Sequence, residues 1–92
     1  MSRDTPPDVV AVLGQLFSEG AQAAKGGDVE TARRTIESAE RVISNKIPND
    51  HERERLLHGC QRVRAHLGAD GAGDVAVAAE YLTAMEASLR EE

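Results

Sequence analysis

A loosely repeated stretch constrains the fold of this chain more than any other feature. Residues 27–40 and residues 73–86, 46 positions later, both open with the dipeptide Gly-Asp. This dipeptide predicts a turn followed by a helix N-cap, whose carboxylate accepts hydrogen bonds from the first helical turn. Each copy then carries apolar residues spaced along one helical face: Val29, Ala32, Ile36, Ala39 and Ile43, and Val75, Ala78, Leu82, Met85 and Leu89. Two amphipathic helices of similar design are therefore predicted.

One further helix is predicted before each copy. The first starts with Thr5 as N-cap, Pro6 at the first helical position and Asp8 near the positive end of the helix dipole. The third helix starts after a proline break, where Asn49 and Glu52 form a capping box. The predicted helices span about 6–25, 29–45, 50–66 and 75–90.

The connections between these helices predict how they pair. Gly26-Gly27 makes a turn so short that helices 1 and 2 are expected to lie antiparallel. The linker at 67–73 consists largely of small residues, is longer, and is predicted to be the most mobile internal segment. We therefore predict one all-α domain over residues 1–92, a four-helix antiparallel bundle made of two helical hairpins.

The chain has few large side chains with which to build a core. Phe17 and Tyr81 are its only aromatic residues, so close helix packing is predicted rather than a roomy cavity. Gly14 and Gly20 each cost about 1 kcal/mol inside a helix. Either a neighbouring helix approaches closely there, or the helix simply tolerates them. Cys60 lies on the apolar stripe of helix 3 and is expected to be a small buried hydrophobic residue.

Charge is distributed unevenly around the net value of −5. Residues 51–66 contain four arginines and two glutamates, whereas residues 74–92 contain five acidic residues and one arginine. The two segments are therefore expected to attract each other, either within the fold or across a dimer.

The two copies differ in the residues that flank the main stripe. Helix 2 carries Thr31, Thr35 and Ser38, and the matching positions of helix 4 are Val77, Tyr81 and Ala84. Helix 4 should therefore meet a second neighbour, which is either helix 1 or another copy of the chain. Helix 1 is similarly broad, with Val12 on its main face and Val10 widening it. We expect Tyr81 to be mostly buried, with its hydroxyl reaching a polar partner or solvent.

The polar residues do not form a recognisable reactive centre. His51 and His58 are seven residues apart, about 10 Å along a helix, and no zinc-binding spacing is present. Glutamates lie on predicted exposed faces among arginines, where no pocket would shift their pKa values. We expect no catalytic, metal or cofactor site and no enzymatic activity. With no apolar run of bilayer length and no signal-peptide pattern, a cytoplasmic protein without membrane contact is expected.

Part of the chain resembles a known repeat family. Residues 27–32, followed by Ile36 and Ala39 and preceded by Gly20, resemble one tetratricopeptide-type helical hairpin. The likeness covers 16–44 well and 73–86 by half, and it implies a groove that binds peptides. The first helix lacks the expected large aromatic residues. The whole chain also resembles small uncharacterised helical proteins of halophilic archaea, which implies no known activity.

These observations favour a non-enzymatic protein–protein interaction domain, self-association included. The candidate interface residues are Val77, Tyr81, Ala84 and Val10. The alternative is association with nucleic acid through Arg55 and Arg62, which lie two turns apart on one side of helix 3. The net negative charge and the scarcity of aromatic residues count against this alternative.

Overall fold

The protein folds into four α-helices. A computed structural model describes residues 5–68 and 74–89, and contains α1 (Pro7–Lys25), α2 (Val29–Lys46), α3 (Asp50–Leu67) and α4 (Val75–Leu89). The described ranges contain no strand, so the prediction of an all-α four-helix protein is confirmed. Most of the linker predicted to be mobile, and the predicted helix end at residue 90, lie outside these ranges.

Three of the helices begin with the caps that the sequence predicts. The Asp28 carboxylate accepts a hydrogen bond from the Thr31 N–H (3.1 Å) at the start of α2, and Asp74 accepts one from the Val77 N–H (3.2 Å) at the start of α4. At α3 the Asn49 side chain accepts from the N–H three residues later (2.9 Å). The two copies of the repeated stretch therefore start their helices in the same way.

The predicted start of α1 is wrong by one residue. Pro6, not Thr5, is the N-cap, and no side chain among the described residues caps this helix. Pro6 itself precedes a proline, which pushes its backbone out of helical geometry, and its ψ is 142°. The helix therefore begins at Pro7. Thr5 is instead buried, 6% exposed, and its Oγ1 has no hydrogen-bond partner within residues 5–68 and 74–89.

The helices pack in a closed ring in chain order, and α4 returns to pack against α1. From one contact between α2 and α3 to the next, the residue number rises on the α2 side and falls on the α3 side. This is expected for neighbours that run in opposite directions. They join Arg33 to the Leu67 carbonyl (3.4 Å), Glu40 to Arg64 (3.1 Å) and the Ile47 carbonyl to Arg53 (3.0 Å). Because α1 packs against α4 as extensively as against α2, the division into two hairpins stays a prediction.

The core contains nearly all of the predicted apolar stripe. Phe17 is fully buried at its centre, together with aliphatic residues from all four helices: Leu13, Ile36, Ile43, Val63, Leu67 and Leu82. Cys60 is also fully buried, as predicted. Val12, however, is 47% exposed. It precedes Leu13 and so lies about 100° around the helix from it, on a flank that the neighbouring helices leave open.

Candidate interaction surface

Equivalent positions of the two copies each pack beside a glycine on the preceding helix. A Cβ added at Gly20 of α1 would lie 3.6 Å from Cγ2 of Thr35, and one added at Gly59 of α3 would lie 3.7 Å from Cε1 of Tyr81. The closest approach at both glycines is made by α4, through Leu82 at Gly20 (3.2 Å) and Met85 at Gly59 (2.7 Å). The sequence predicts a possible close contact at Gly20 but not at Gly59, although a glycine inside a helix carries the same signal in both places.

Tyr81 lies in a groove between α3 and α4. The groove has a volume of about 140 Å³ and is lined by Arg55, Leu56, Gly59, Tyr81, Met85 and Ser88. Most of the Tyr81 surface is buried, as predicted, and the side chain packs against the core. No hydrogen bond to its hydroxyl is present among the described residues. The bundle thus holds the aromatic ring in place while part of the residue remains accessible.

The two arginines of the alternative hypothesis lie on the same side of the molecule as Tyr81. Arg55 lines the groove itself, and its guanidinium is 3.6 Å from the carboxylate of the buried Glu52. Arg62 is two turns further along α3 and is therefore on the same side of that helix. It is exposed and makes no ion pair within the part of the chain that the structure describes. Residues of the protein-interaction hypothesis and of the nucleic-acid hypothesis thus lie close together in the structure.

Two other predicted interface residues extend this surface along α4. Val77 and Ala84 lie one turn before and one turn after Tyr81, and therefore on the same side of the helix. Val77 is half-buried and Ala84 is exposed. We call the surface formed by Arg55, Arg62, Val77, Tyr81 and Ala84 the α3–α4 face.

Val10 does not belong to the α3–α4 face. It lies on the other side of α4, in an open groove of about 500 Å³ between α1 and α4. The residues that line this groove include Ala11, Gly14, Glu86 and Leu89. The four predicted interface residues are thus divided between two grooves, because α4 packs against α3 with one flank and against α1 with the other.

Possible metal ligands and the Cys60 thiol are the groups to consider for chemistry among the described residues. Across residues 5–68 and 74–89, no three His, Cys, Asp or Glu side chains come close enough together to hold a metal ion. Burial, with a smaller effect of the Glu40 carboxylate, raises the pKa of the Cys60 thiol to about 12. That thiol therefore stays neutral and unreactive near pH 7. Within the same ranges, no helix combines the length and apolar character that crossing a membrane requires.

Fold and surface together define a small helical-bundle protein with a partly exposed aromatic residue in a groove. The chain belongs to the family described as Domain of unknown function (DUF8101), whose profile matches residues 1–91. No curated protein and no solved structure matches it. The resemblances to tetratricopeptide hairpins and to proteins of halophilic archaea gain no support from the family match and stay expectations.

Proposed function

We propose that this protein is a non-enzymatic module that binds another protein, a second copy of itself included, through the α3–α4 face. The observation that carries the proposal is the position of Tyr81. Of the two aromatic side chains, Phe17 is fully buried in the core, whereas Tyr81 lines a groove and keeps part of its surface exposed. Tyrosine is among the residues that contribute most binding energy at protein interfaces, because its ring gives a large contact area at a small entropic cost.

The surroundings of Tyr81 support the same proposal. The floor of the groove is apolar, formed by Leu56 and Met85, and Arg55 lies at its rim. Arginine and methionine are, like tyrosine, enriched at protein interfaces. An apolar centre with a polar rim can exclude water from the centre, while the rim fixes the orientation of the bound partner.

Binding of nucleic acid through the same arginines has weaker support. The charge of Arg55 is already partly compensated by Glu52, which leaves Arg62 as the single cation without a protein partner in the described part of α3. Affinity for nucleic acid depends on many phosphate contacts. A protein with a net charge of −5 repels the negatively charged phosphate backbone of the nucleic acid.

Site-specific photo-crosslinking tests the proposal. One variant carries the photoreactive amino acid p-benzoylphenylalanine in place of Tyr81, and the control variant carries it in place of Ala65, which is exposed beside Arg64 on the α2 side of α3. Each purified variant is irradiated alone and in extract of the native host. We expect a discrete crosslinked protein from position 81 and none from position 65. Equal labelling at the two positions would overturn the proposal.

A further inference from the structure

We infer that the partner bound at the α3–α4 face is an acidic amphipathic helix of a different protein. This helix places one apolar side chain in the groove beside Tyr81 and a carboxylate against each of Arg55 and Arg62. The inference rests on the proposed function, because it names the chemistry of the partner of the same surface. It follows from the size of the groove, the charges around it and the spacing of the two arginines.

The groove beside Tyr81 has room for one side chain of a partner. Its volume of about 140 Å³ lies below the roughly 300–1,000 Å³ of small-molecule sites. Leu56, Met85 and Tyr81 make much of its lining apolar. A small-molecule ligand of ordinary size would therefore remain largely outside the groove. A single apolar side chain fits, as when an amphipathic helix binds in a groove between two helices.

The α4 side of the face carries no charge. The residues of α4 on the flank toward α3 recur at helical spacing: Val77, Tyr81, Ala84 and Ser88. The two glutamates within α4 line other grooves, Glu86 between α1 and α4, and Glu80 beside Ala24 and Lys25 of α1. Asp74 precedes α4, and its carboxylate caps the helix. The carboxylates within α4 therefore lie away from α3.

The α3 side of the face is basic. Arg62 is exposed and makes no ion pair within residues 5–68 and 74–89, and the side chain of Arg55 is 59% exposed. Glu52, whose carboxylate lies 3.6 Å from the guanidinium of Arg55, is itself buried. A protein that approaches the face therefore meets guanidinium groups. In a chain with a net charge of −5, this face favours a partner that supplies carboxylates.

The same charges disfavour a second copy as the partner. In a two-fold dimer the face meets an identical face, and none of the five residues that form it is acidic. The net charge of −5 on each copy adds a further repulsion. Two arginines are also too few for the many phosphate contacts on which nucleic-acid binding depends, but they match two carboxylates.

The spacing of the arginines defines the pattern of the partner helix. Gly59 lines the groove, four residues after Arg55 and three before Arg62, so the two arginines lie one turn to either side of it. They are about 10 Å apart along α3. A partner helix that lies along α3 matches them with an apolar residue at the groove and Asp or Glu about one turn before and one turn after that residue.

A displayed peptide library tests the inference. Helical peptides of about four turns, randomised along one face, are displayed on yeast and sorted for binding to the wild-type protein. Binders are then counter-sorted against Tyr81→Thr, so that only peptides that need Tyr81 remain. We expect the remaining peptides to share an apolar residue with Asp or Glu about one turn to either side.

Charge reversal then tests the predicted ion pairs. For a synthetic peptide from this set, fluorescence anisotropy should give a Kd about tenfold higher with Arg62→Glu than with wild type. Replacing the facing acidic residue of the peptide with Lys should restore binding to that variant. Arg41→Glu, at an exposed position on α2, is the charge-matched control and should leave the Kd unchanged. Circular dichroism checks that each variant keeps its helical content.

Peptides that need Tyr81 but lack acidic residues, or that bind Arg62→Glu as tightly as wild type, would overturn the inference and leave the proposed function standing. Wild-type self-association that Tyr81→Thr abolishes would do the same, because a second copy would then occupy the face. A library without any peptide that needs Tyr81 would also overturn the inference. If position 81 also gives no more crosslinking than position 65, the proposed function fails as well.

Discussion

The helices α2 and α4 share one design and differ along one flank. Each begins at an aspartate cap, buries the same stripe in the core and packs beside a glycine of the preceding helix. On α2 the flank is polar, and the Thr35 hydroxyl is satisfied within its own helix by donating to the Thr31 carbonyl (2.8 Å). On α4 the matching residues are Val77 and Tyr81. The shared features stabilise the bundle, and the flank that differs is part of the α3–α4 face, to which we assign the function.

Truncation of the shared core stripe should have the largest effect. Ile36 and Leu82 occupy equivalent positions and are both 0% exposed. Ile36→Ala and Leu82→Ala should each lower the free energy of unfolding by about 2–4 kcal/mol, because each loses buried contacts and leaves a cavity. Urea denaturation followed by circular dichroism measures both. A cost below about 1 kcal/mol at one position would show that the two stripes are not equivalent in the core.

Alanine substitutions at Gly20 and Gly59 should have different effects on the free energy of unfolding. A Cβ at Gly20 would lie 3.2 Å from Cδ1 of the fully buried Leu82, whereas a Cβ at Gly59 would lie 2.7 Å from Cε of Met85, the end of a flexible side chain. We expect Gly20→Ala to destabilise by about 1 kcal/mol, because Leu82 cannot move away. Gly59→Ala should leave the free energy of unfolding nearly unchanged, since the cost of moving the Met85 side chain offsets the gain in helix propensity.

Gly14→Ala is the control for this pair. Its added Cβ would meet only Cδ1 of Leu89 at 3.9 Å, an ordinary contact. The variant should therefore be more stable than wild type by up to about 1 kcal/mol, the difference in helix propensity between the two residues. Thermal unfolding of the three variants checks the order. A Gly59→Ala variant less stable than Gly20→Ala would contradict it.

The aspartate cap of α2 should have the smallest effect, visible only in acid. Hydrogen bonds from Thr31 lower the pKa of Asp28 below its ordinary value of 3.8. The cap therefore stabilises the fold above pH 3.8, and this contribution is lost as the pH falls through the lowered pKa. An asparagine side chain at this position would still cap the helix but would not titrate. Below that pH, Asp28→Asn should therefore lose less stability than wild type in urea denaturation. Parallel acid dependence of the two proteins would contradict this.

The sequence was sufficient for most of the fold because its signals are local. Asp28, Asn49 and Asp74 mark helix starts through contacts with residues three positions away, and the apolar spacing identifies the core stripes. The start of α1 was misplaced because two consecutive prolines act together, and the second moved the cap from Thr5 to Pro6.

The candidate site was less predictable because it depends on which helix lies on each side of α4. The spacing along α4 indicated a second apolar flank, and this placed Val77 and Tyr81 correctly on one side of the helix. It could not show that this flank faces Gly59 of α3 while Val10 borders the opposite flank. From the sequence, Arg55 is predicted only as a contact for nucleic acid, because its position beside Tyr81 follows from the packing of α3 on α4.

The central claim is tested most directly by sedimentation equilibrium of Tyr81→Thr. This substitution gives α4 the residue found at the equivalent position of α2. If the α3–α4 face is the interface, the variant keeps its helical content by circular dichroism, and its association with itself or with the protein crosslinked from position 81 is about tenfold or more weaker than that of wild type. Unchanged association would contradict the account. Loss of helical content would also contradict it, since Tyr81 would then belong to the core rather than to a binding surface.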